Sequence, residues 1–102
     1  MTGARKALLA ELLDAVEAET PYGGRSVTYE AAGWAWLKTG SVRRRERTEA
    51  GAQRVSETLT AETGADARLT TGRVLRFGGR DWRIVSGETI GGRALLNLER
   101  TR

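Results

Sequence analysis

The sequence contains no cysteine and no histidine among its 102 residues. Their absence excludes disulfide bridges, thiolate catalysis, zinc sites of the Cys/His type and every histidine-dependent catalytic triad. No apolar run approaches the roughly 18 residues of a transmembrane helix, and Glu11 interrupts the apolar stretch near Leu8, which argues against a signal peptide. We therefore expect a soluble, intracellular chain that is not an enzyme and has neither cofactor nor metal.

Proline is also scarce, whereas basic residues and glycine are abundant. The chain has one proline, 13 glycines and 17 basic residues against 13 acidic ones, for a net charge of +4. Fifteen of the basic residues are arginines, a side chain suited to bidentate pairing with carboxylates and phosphates. This length allows one small domain with a modest core. We expect a binding or structural protein with a basic surface.

Residues 4–19 predict an N-terminal amphipathic α-helix. Their leucines recur at helical spacing, and Pro21 and Gly23 follow as helix-ending signals. The apolar stripe comprises Leu8, Leu9, Leu12, Leu13 and Val16. Since so wide a stripe does not face water alone, we predict a docking helix that packs on the rest of the chain or on a neighbouring protein.

The remainder of the chain predicts about six short strands. They are residues 25–30, 34–37, 53–61, 73–77, 81–86 and 93–99. Gly78-Gly79 and Gly91-Gly92 suit tight hairpin turns between the last strands. The predicted interior is Leu75, Phe77, Trp82, Ile84, Leu96 and Leu98. The predicted fold is mainly β: a small six-stranded β-barrel or sandwich over residues 25–102, preceded by the helix and a linker over residues 1–24.

Residues 38–52 predict a long polar loop, and loops of this length in compact domains are usually functional or disordered. Its charged residues are Lys38, Arg43, Arg44, Arg45, Glu46, Arg47 and Glu49. The arginines could contact nucleic-acid phosphates, dock onto an acidic partner or form a solvated surface. We treat the segment as a candidate docking loop.

Other residue types indicate no catalytic or nucleotide-binding chemistry. Trp34 and Trp36 share one strand face and could stack on bases, although core or interface anchoring is the commoner role. The spacing of the acids Glu46, Glu49, Glu57 and Glu62 does not select a catalytic pair. The paired glycines lack the spacing of phosphate-binding loops.

From Trp34 onward, the sequence resembles the head–tail adaptor family of tailed phages, the head-closure or stopper proteins, which have relatives in gene transfer agents. The matching elements occur in the family's order over about two thirds of the chain. They are Trp34-Ala35 with Leu37, Gly40 with Glu46 and residues 49–51, then residues 55–61, 69–74, 79–86 and 95–100. Family members usually open directly with a strand, so the predicted helix departs from the pattern.

The resemblance implies a virion protein at the head–tail interface, assembled in the host cytoplasm. It implies a β-barrel subunit of a cyclic, dodecameric ring between the portal/adaptor complex and the tail terminator or tail tube. DNA would pass through the lumen without sequence-specific binding, and residues 38–52 would face the channel or a neighbouring ring. Two alternatives stay open: a basic OB- or SH3-like nucleic-acid-binding module, and a tail-terminator-like ring protein.

Overall fold

The chain forms an antiparallel β-structure in a computed structural model that describes residues 7–49 and 51–101. Its seven strands are β1 (Ala7–Glu19), β2 (Arg25–Thr39), β3 (Arg43–Glu49), β4 (Ala52–Gly64), β5 (Val74–Phe77), β6 (Arg80–Ile90) and β7 (Arg93–Thr101). None of the described residues forms a helix that could cross a membrane. The predicted mainly β architecture is confirmed, with seven strands instead of six.

The strands form one sheet that closes on itself. Their order is β2-β1-β5-β6-β7-β4-β3, with an additional pairing between β2 and β4. That pairing is short and joins Lys38 to Glu62 and Thr39 to Ala61. Because it connects β2 back to β4, six strands close into a barrel, while β3 pairs only with β4 and lies outside the closure. We call the β2–β4 pairing the seam.

The barrel interior holds a single apolar core. Its buried members are Ala10, Leu12, Ala35, Leu37, Leu59, Ala61, Leu75, Trp82, Ile84, Ala94, Leu96 and Leu98. Trp82 is 3% exposed and stacks on Phe77, with ring centroids 5.9 Å apart. The Arg100 guanidinium lies 5.9 Å from the centroid of the Trp82 ring. The predicted core is therefore confirmed, with Phe77 partly buried at its margin.

The predicted N-terminal helix is wrong, because residues 7–19 form β1. The strand lies between β2 and β5 and pairs with both. Ala10 and Leu12 are buried, whereas Leu9 is 45% exposed. This alternation is the strand period of two. Residues 4–6 of the predicted helix lie outside the described residues.

Pairing of residues 7–19 with β2 and β5 explains why the helix prediction from the leucine spacing is wrong. Alanine, leucine and glutamate favour helices by less than about 0.7 kcal/mol per residue over most other types. A strand paired on both sides gains ladder hydrogen bonds and core burial that exceed this preference. Leu8 and Leu12, four residues apart, fit the strand period as well as the helical one. A barrel strand therefore replaces the predicted docking helix, whose stripe was Leu8, Leu9, Leu12, Leu13 and Val16. The predicted boundary after residue 24 is also wrong, because residues 7–19 pair within the same sheet as the rest of the chain.

The predicted loop over residues 38–52 is also wrong for most of its length. Lys38 and Thr39 end β2, residues 43–49 form β3, and β3 pairs with β4 from Arg43–Thr58 to Glu49–Ala52. The many charged residues favoured a loop prediction, because charged side chains are depleted in strands that pack on both faces. An edge strand outside the core tolerates them because both of its faces reach water.

A β-bulge in β2 is held by an arginine from the β4–β5 connection. The β1–β2 register shifts between Leu12 and Leu13, where Gly33 has φ of 146°. The Arg68 Nη1 donates to the Ala32 carbonyl oxygen at 3.2 Å, and a Cβ at Gly33 would collide with the same guanidinium. Gly33 therefore lets the connection approach β2 closely.

Arg68 is itself fixed by Asp66. Its Nε donates to Oδ1 at 3.0 Å and its Nη2 to Oδ2 at 2.6 Å. These hydrogen bonds, with the Arg68 backbone N–H and its charge, lower the pKa of the Asp66 carboxyl to about 2. The pair clips the β4–β5 connection to β2.

The predicted hairpin turns are confirmed. Gly78 and Gly79 connect β5 to β6 with φ of 61° and 73°, and Gly91 and Gly92 connect β6 to β7 with φ of 56° and 79°. Two consecutive positive φ values are the requirement of a type I′ turn, which matches the twist of the flanking strands.

Candidate interaction surfaces

Two hairpins extend beyond the barrel. The radius of gyration is 15.4 Å and the longest dimension 54 Å, whereas a compact domain of this length has a radius near 13 Å. The first extension is the outer part of the β1–β2 hairpin, residues 14–30, which we call the acidic arm. The second is the β3–β4 hairpin, residues 43–56, which we call the basic arm.

The acidic arm has a net charge of −3, from four acids and one arginine. Its tip, residues 21–30, is exposed throughout. Tyr22 is almost fully exposed, and Val27 and Tyr29 are half exposed on one face of β2. Glu17 pairs with Arg25 across the strands at 3.2 Å, whereas Glu19 and Glu30 have no ion pair with a described residue. The arm therefore combines net negative charge with apolar contact area.

The basic arm has a net charge of +3, from five arginines and two glutamates. Arg43, Arg44 and Arg45 are exposed, and none of them makes an ion pair with a described residue. Glu46 instead accepts a hydrogen bond from the Gln53 amide at 3.1 Å. Residues 43–56 include no aromatic side chain. The arm therefore presents unneutralised guanidinium groups without a stacking platform.

The two arms lie on opposite sides of the seam. β2 reaches the seam at Lys38 and Thr39, and the antiparallel β4 reaches it at Glu62 and Ala61. Followed away from the seam, β2 runs back to the acidic arm in one direction, and β4 runs back to the basic arm in the other. The molecule therefore carries opposite net charge at its two ends.

Elsewhere most arginines are neutralised by local carboxylates. Arg76 binds Asp81 at 2.7 Å, Arg93 binds Glu62 at 3.2 Å, and Arg73 and Arg83 have longer pairs with Asp14 and Glu99. Arg100 binds the buried Glu57 at 3.0 Å. The excess positive charge of the described residues is consequently concentrated on the basic arm.

An aromatic patch lies on the outer face of β1 and β2. Leu9 and Trp36 are direct cross-strand partners, and Trp34 lies two residues away on the same face. Trp34 is 58% and Trp36 63% exposed. Both indoles therefore lie outside the core, and the patch is suited to contact with another surface.

The described carboxylates among those considered for catalysis each have a partner of their own. Glu57 pairs with Arg100, Glu62 with Arg93, and Glu46 accepts from Gln53; nothing is described for the side chain of Glu49. Within the described residues no group of His, Cys, Asp and Glu could hold a metal ion. Of the predicted docking residues, Arg43, Arg44, Arg45 and Glu46 share β3, whereas Lys38 lies at the seam.

Sequence reasoning missed the acidic arm. Its acids, Asp14, Glu17, Glu19 and Glu30, lie on two strands, and β1 was assigned to a helix. The available signal was the strand-like alternation of residues 25–30 after a glycine pair, with acids clustered just before it. Pairing residues 14–19 with that strand would have placed the acids on one hairpin.

Comparison with known proteins finds similarity to a solved structure. No family model matches the chain, and no curated protein matches it. The fold is similar to that of a chain in a solved structure described as "Virion of native gene transfer agent (GTA) particle". The TM-score is 0.72 at 21% sequence identity, and the match covers 93% of this chain and 94% of that one. The two chains share a fold over nearly their whole lengths.

Proposed function

We propose that the protein is a structural component of a virion or gene transfer agent particle and acts by binding rather than by catalysis. The observation that carries this proposal is the shared fold with a chain of a gene transfer agent virion, over 93% of the present chain. The order of the sequence motifs supports the same assignment, because it resembles head–tail adaptor proteins. Those motifs fall on β2, β3, β4, β6 and β7 and on the segment that leads into β5.

Within such a particle we place the protein at the head–tail interface, as a head-closure subunit of a cyclic, dodecameric ring. The ring would join the portal/adaptor complex to the tail and help to retain packaged DNA. Two exposed arms and an aromatic patch on a 102-residue chain support this role, because a subunit between neighbours needs several contact surfaces. A tail-terminator-like ring protein would use the same surfaces with other neighbours.

The second candidate function is nucleic-acid binding, and the unneutralised Arg43, Arg44 and Arg45 favour it. Single-strand binding surfaces interleave basic side chains with aromatic ones on which bases stack. The basic arm has no aromatic residue, and the exposed Trp34 and Trp36 lie on another strand. The distribution therefore favours a protein partner.

Deletion of the gene in a particle-producing host tests the head–tail role. We expect heads and tails to accumulate separately, and plasmid-borne wild-type protein to restore tailed particles, counted by electron microscopy. Mass spectrometry of purified particles should detect the protein. Normal tailed particles without the gene, or particles lacking the protein, would contradict the proposal.

A binding assay separates the two functions. A nucleic-acid module would bind free DNA or RNA as a monomer, and its affinity would fall steeply with salt concentration. We expect the purified chain to bind an oligonucleotide only weakly at physiological ionic strength. Tight, steeply salt-dependent binding by the free chain would favour the nucleic-acid function.

A further inference from the structure

We propose that the acidic arm of one copy binds the basic arm of the next copy, head to tail, with β3 aligned along the free edge of β2. The inference deepens the proposed function, because a ring subunit must contact its own copies, and so it rests on that proposal. Its partner is a second copy of this chain. Charge, free strand edges and arm directions on the described residues each support it.

Charge complementarity selects the pair of surfaces. The acidic arm carries −3 and the basic arm +3, so contact between unlike arms is attractive and contact between like arms is repulsive. Arg43, Arg44 and Arg45 have no ion pair within the described residues, and neither do Glu19 and Glu30. Each arm thus holds charges that a second copy can neutralise.

Free strand edges provide the backbone part of the contact. Among the described residues, no strand pairs with the outer side of β2 over residues 25–31, the stretch before the Ala32 carbonyl oxygen that accepts from Arg68, and β3 pairs only with β4. A free edge is a template for another strand. The arginines on β3 disfavour its pairing with another β3. They favour the edge of β2, which carries Glu30 and whose neighbouring strand β1 carries Glu17 and Glu19.

The arm directions determine the kind of assembly. Because the arms point away from the seam on opposite sides, each copy offers an acidic surface at one end and a basic surface at the other. Contacts between such ends are heterologous, and they close into a ring when the rotation between copies permits. Val27 and Tyr29, half exposed on the acidic arm, supply apolar area at the contact.

Charge reversal tests the pairing in the full chain. One variant carries Arg43→Glu, Arg44→Glu and Arg45→Glu, which changes the basic arm to −3, and the other carries Glu17→Arg, Glu19→Arg and Glu30→Arg, which changes the acidic arm to +3. Sedimentation velocity at low salt should show association of the wild type that weakens as salt is added. Each variant alone should be monomeric, their equimolar mixture should associate, and a chain carrying all six changes should associate again.

Single variants that associate as well as the wild type, or a mixture that stays monomeric, would overturn the inference. So would a wild-type chain that remains monomeric at the highest attainable concentration. Circular dichroism of each variant confirms that the barrel is retained before association is compared.

Cysteine cross-linking provides a test that leaves the charges unchanged. The chain has no native cysteine, so Ser26→Cys on the acidic arm and Thr48→Cys on the basic arm, both exposed, introduce the only thiols. Mild oxidation of the double variant should give a ladder of covalent oligomers, whereas a mixture of the two single variants should stop at dimers. A double variant that stays monomeric, or stops at a two-fold dimer, would overturn head-to-tail pairing.

The two proposals fail in different ways. If the arms pair but purified particles lack the chain, the virion role is wrong and the arm pairing stands. If both charge-reversed variants enter particles and support tail attachment at the wild-type yield, the arm pairing is wrong and the virion role stands.

Discussion

At the scale of single residues, Trp82 contributes the largest buried side chain of the core. Its ring stacks on the Phe77 ring, and the Arg100 guanidinium lies over it. The two other tryptophans contribute contact area outside the barrel instead.

We expect Trp82→Ala to lower the free energy of unfolding by about 3–5 kcal/mol, through lost burial and the cavity left behind. A domain of this size has about 5–15 kcal/mol in total, so the variant should be marginally stable. Urea denaturation followed by circular dichroism measures the change. Trp34→Ala is the matched control, because the Trp34 indole is exposed and its removal should alter stability little. Equal midpoints for the two variants would contradict the assigned burial.

The second residue-scale prediction concerns Asp66. Its carboxyl has a pKa of about 2 against an ordinary value of 3.8, chiefly because Arg68 donates hydrogen bonds to it. A carboxyl whose pKa is lower in the folded chain stabilises the fold above its unfolded pKa. That contribution is lost as the pH falls through 3.8 towards 2.

Carbon-13 NMR of the Asp66 carboxyl measures this directly. The wild-type midpoint should lie near 2, and in Arg68→Ala it should rise towards 3.8. Arg76→Ala serves as the control, since Arg76 binds Asp81 and should leave the Asp66 midpoint unchanged. An unaltered Asp66 midpoint in Arg68→Ala would show that the pair does not form in solution.

At the scale of elements, β1 and β3 determine what the chain can present to partners. β1 is a barrel strand rather than an appended helix, so its removal would open the barrel. β3 is an addition outside the closure, so its surface can change without disturbing the core. The first element supports the fold and the second is available for contact.

The assignment of β1 predicts unequal effects from two equivalent substitutions. Leu12→Ala should cost about 2–5 kcal/mol, the usual loss for a buried leucine, because Leu12 is fully buried. Leu9→Ala should cost little, because Leu9 lies on the outer face of the strand. An apolar helical stripe would bury both residues and make the two losses similar. Chemical denaturation of both variants distinguishes these outcomes.

At the scale of the whole molecule, the two ends of the barrel carry opposite charge and are therefore distinguishable. The net charge of +4 does not reveal this asymmetry, because the −3 and +3 of the two arms cancel in the sum. A directional subunit with separate contact surfaces is what a cyclic assembly requires. Its exposed charges are worth little to stability, about 0–1 kcal/mol per pair, and are available for orienting partners.

The matching prediction is that changing Arg43, Arg44, Arg45 and Arg47 together to Ser leaves the melting temperature nearly unchanged. In a particle-producing host the same variant should reduce tail attachment or let packaged DNA leak, because the contacts of the basic arm are lost. The fourfold change to Lys is the control, since it keeps the charge. Tailed, DNA-retaining particles at normal yield in the Ser variant would show that the arginines are a solvated surface.

The sequence by itself determined the period-two alternation, the glycine turns and the core around Trp82 and Leu98. These are local signals: a type I′ turn needs residues that accept positive φ, and a half-buried strand needs alternating side chains. It also determined the motif order behind the proposed virion role.

Only the tertiary structure decided the state of residues 7–19 and 43–49. For the first segment, the helical and strand periods both fit Leu8 and Leu12, and pairing with two distant strands selected the strand. For the second, charge indicated a loop, whereas pairing with β4 outside the barrel allows a charged strand. The acidic and basic arms emerge from those pairings, because which charges share a hairpin depends on long-range register rather than on local sequence.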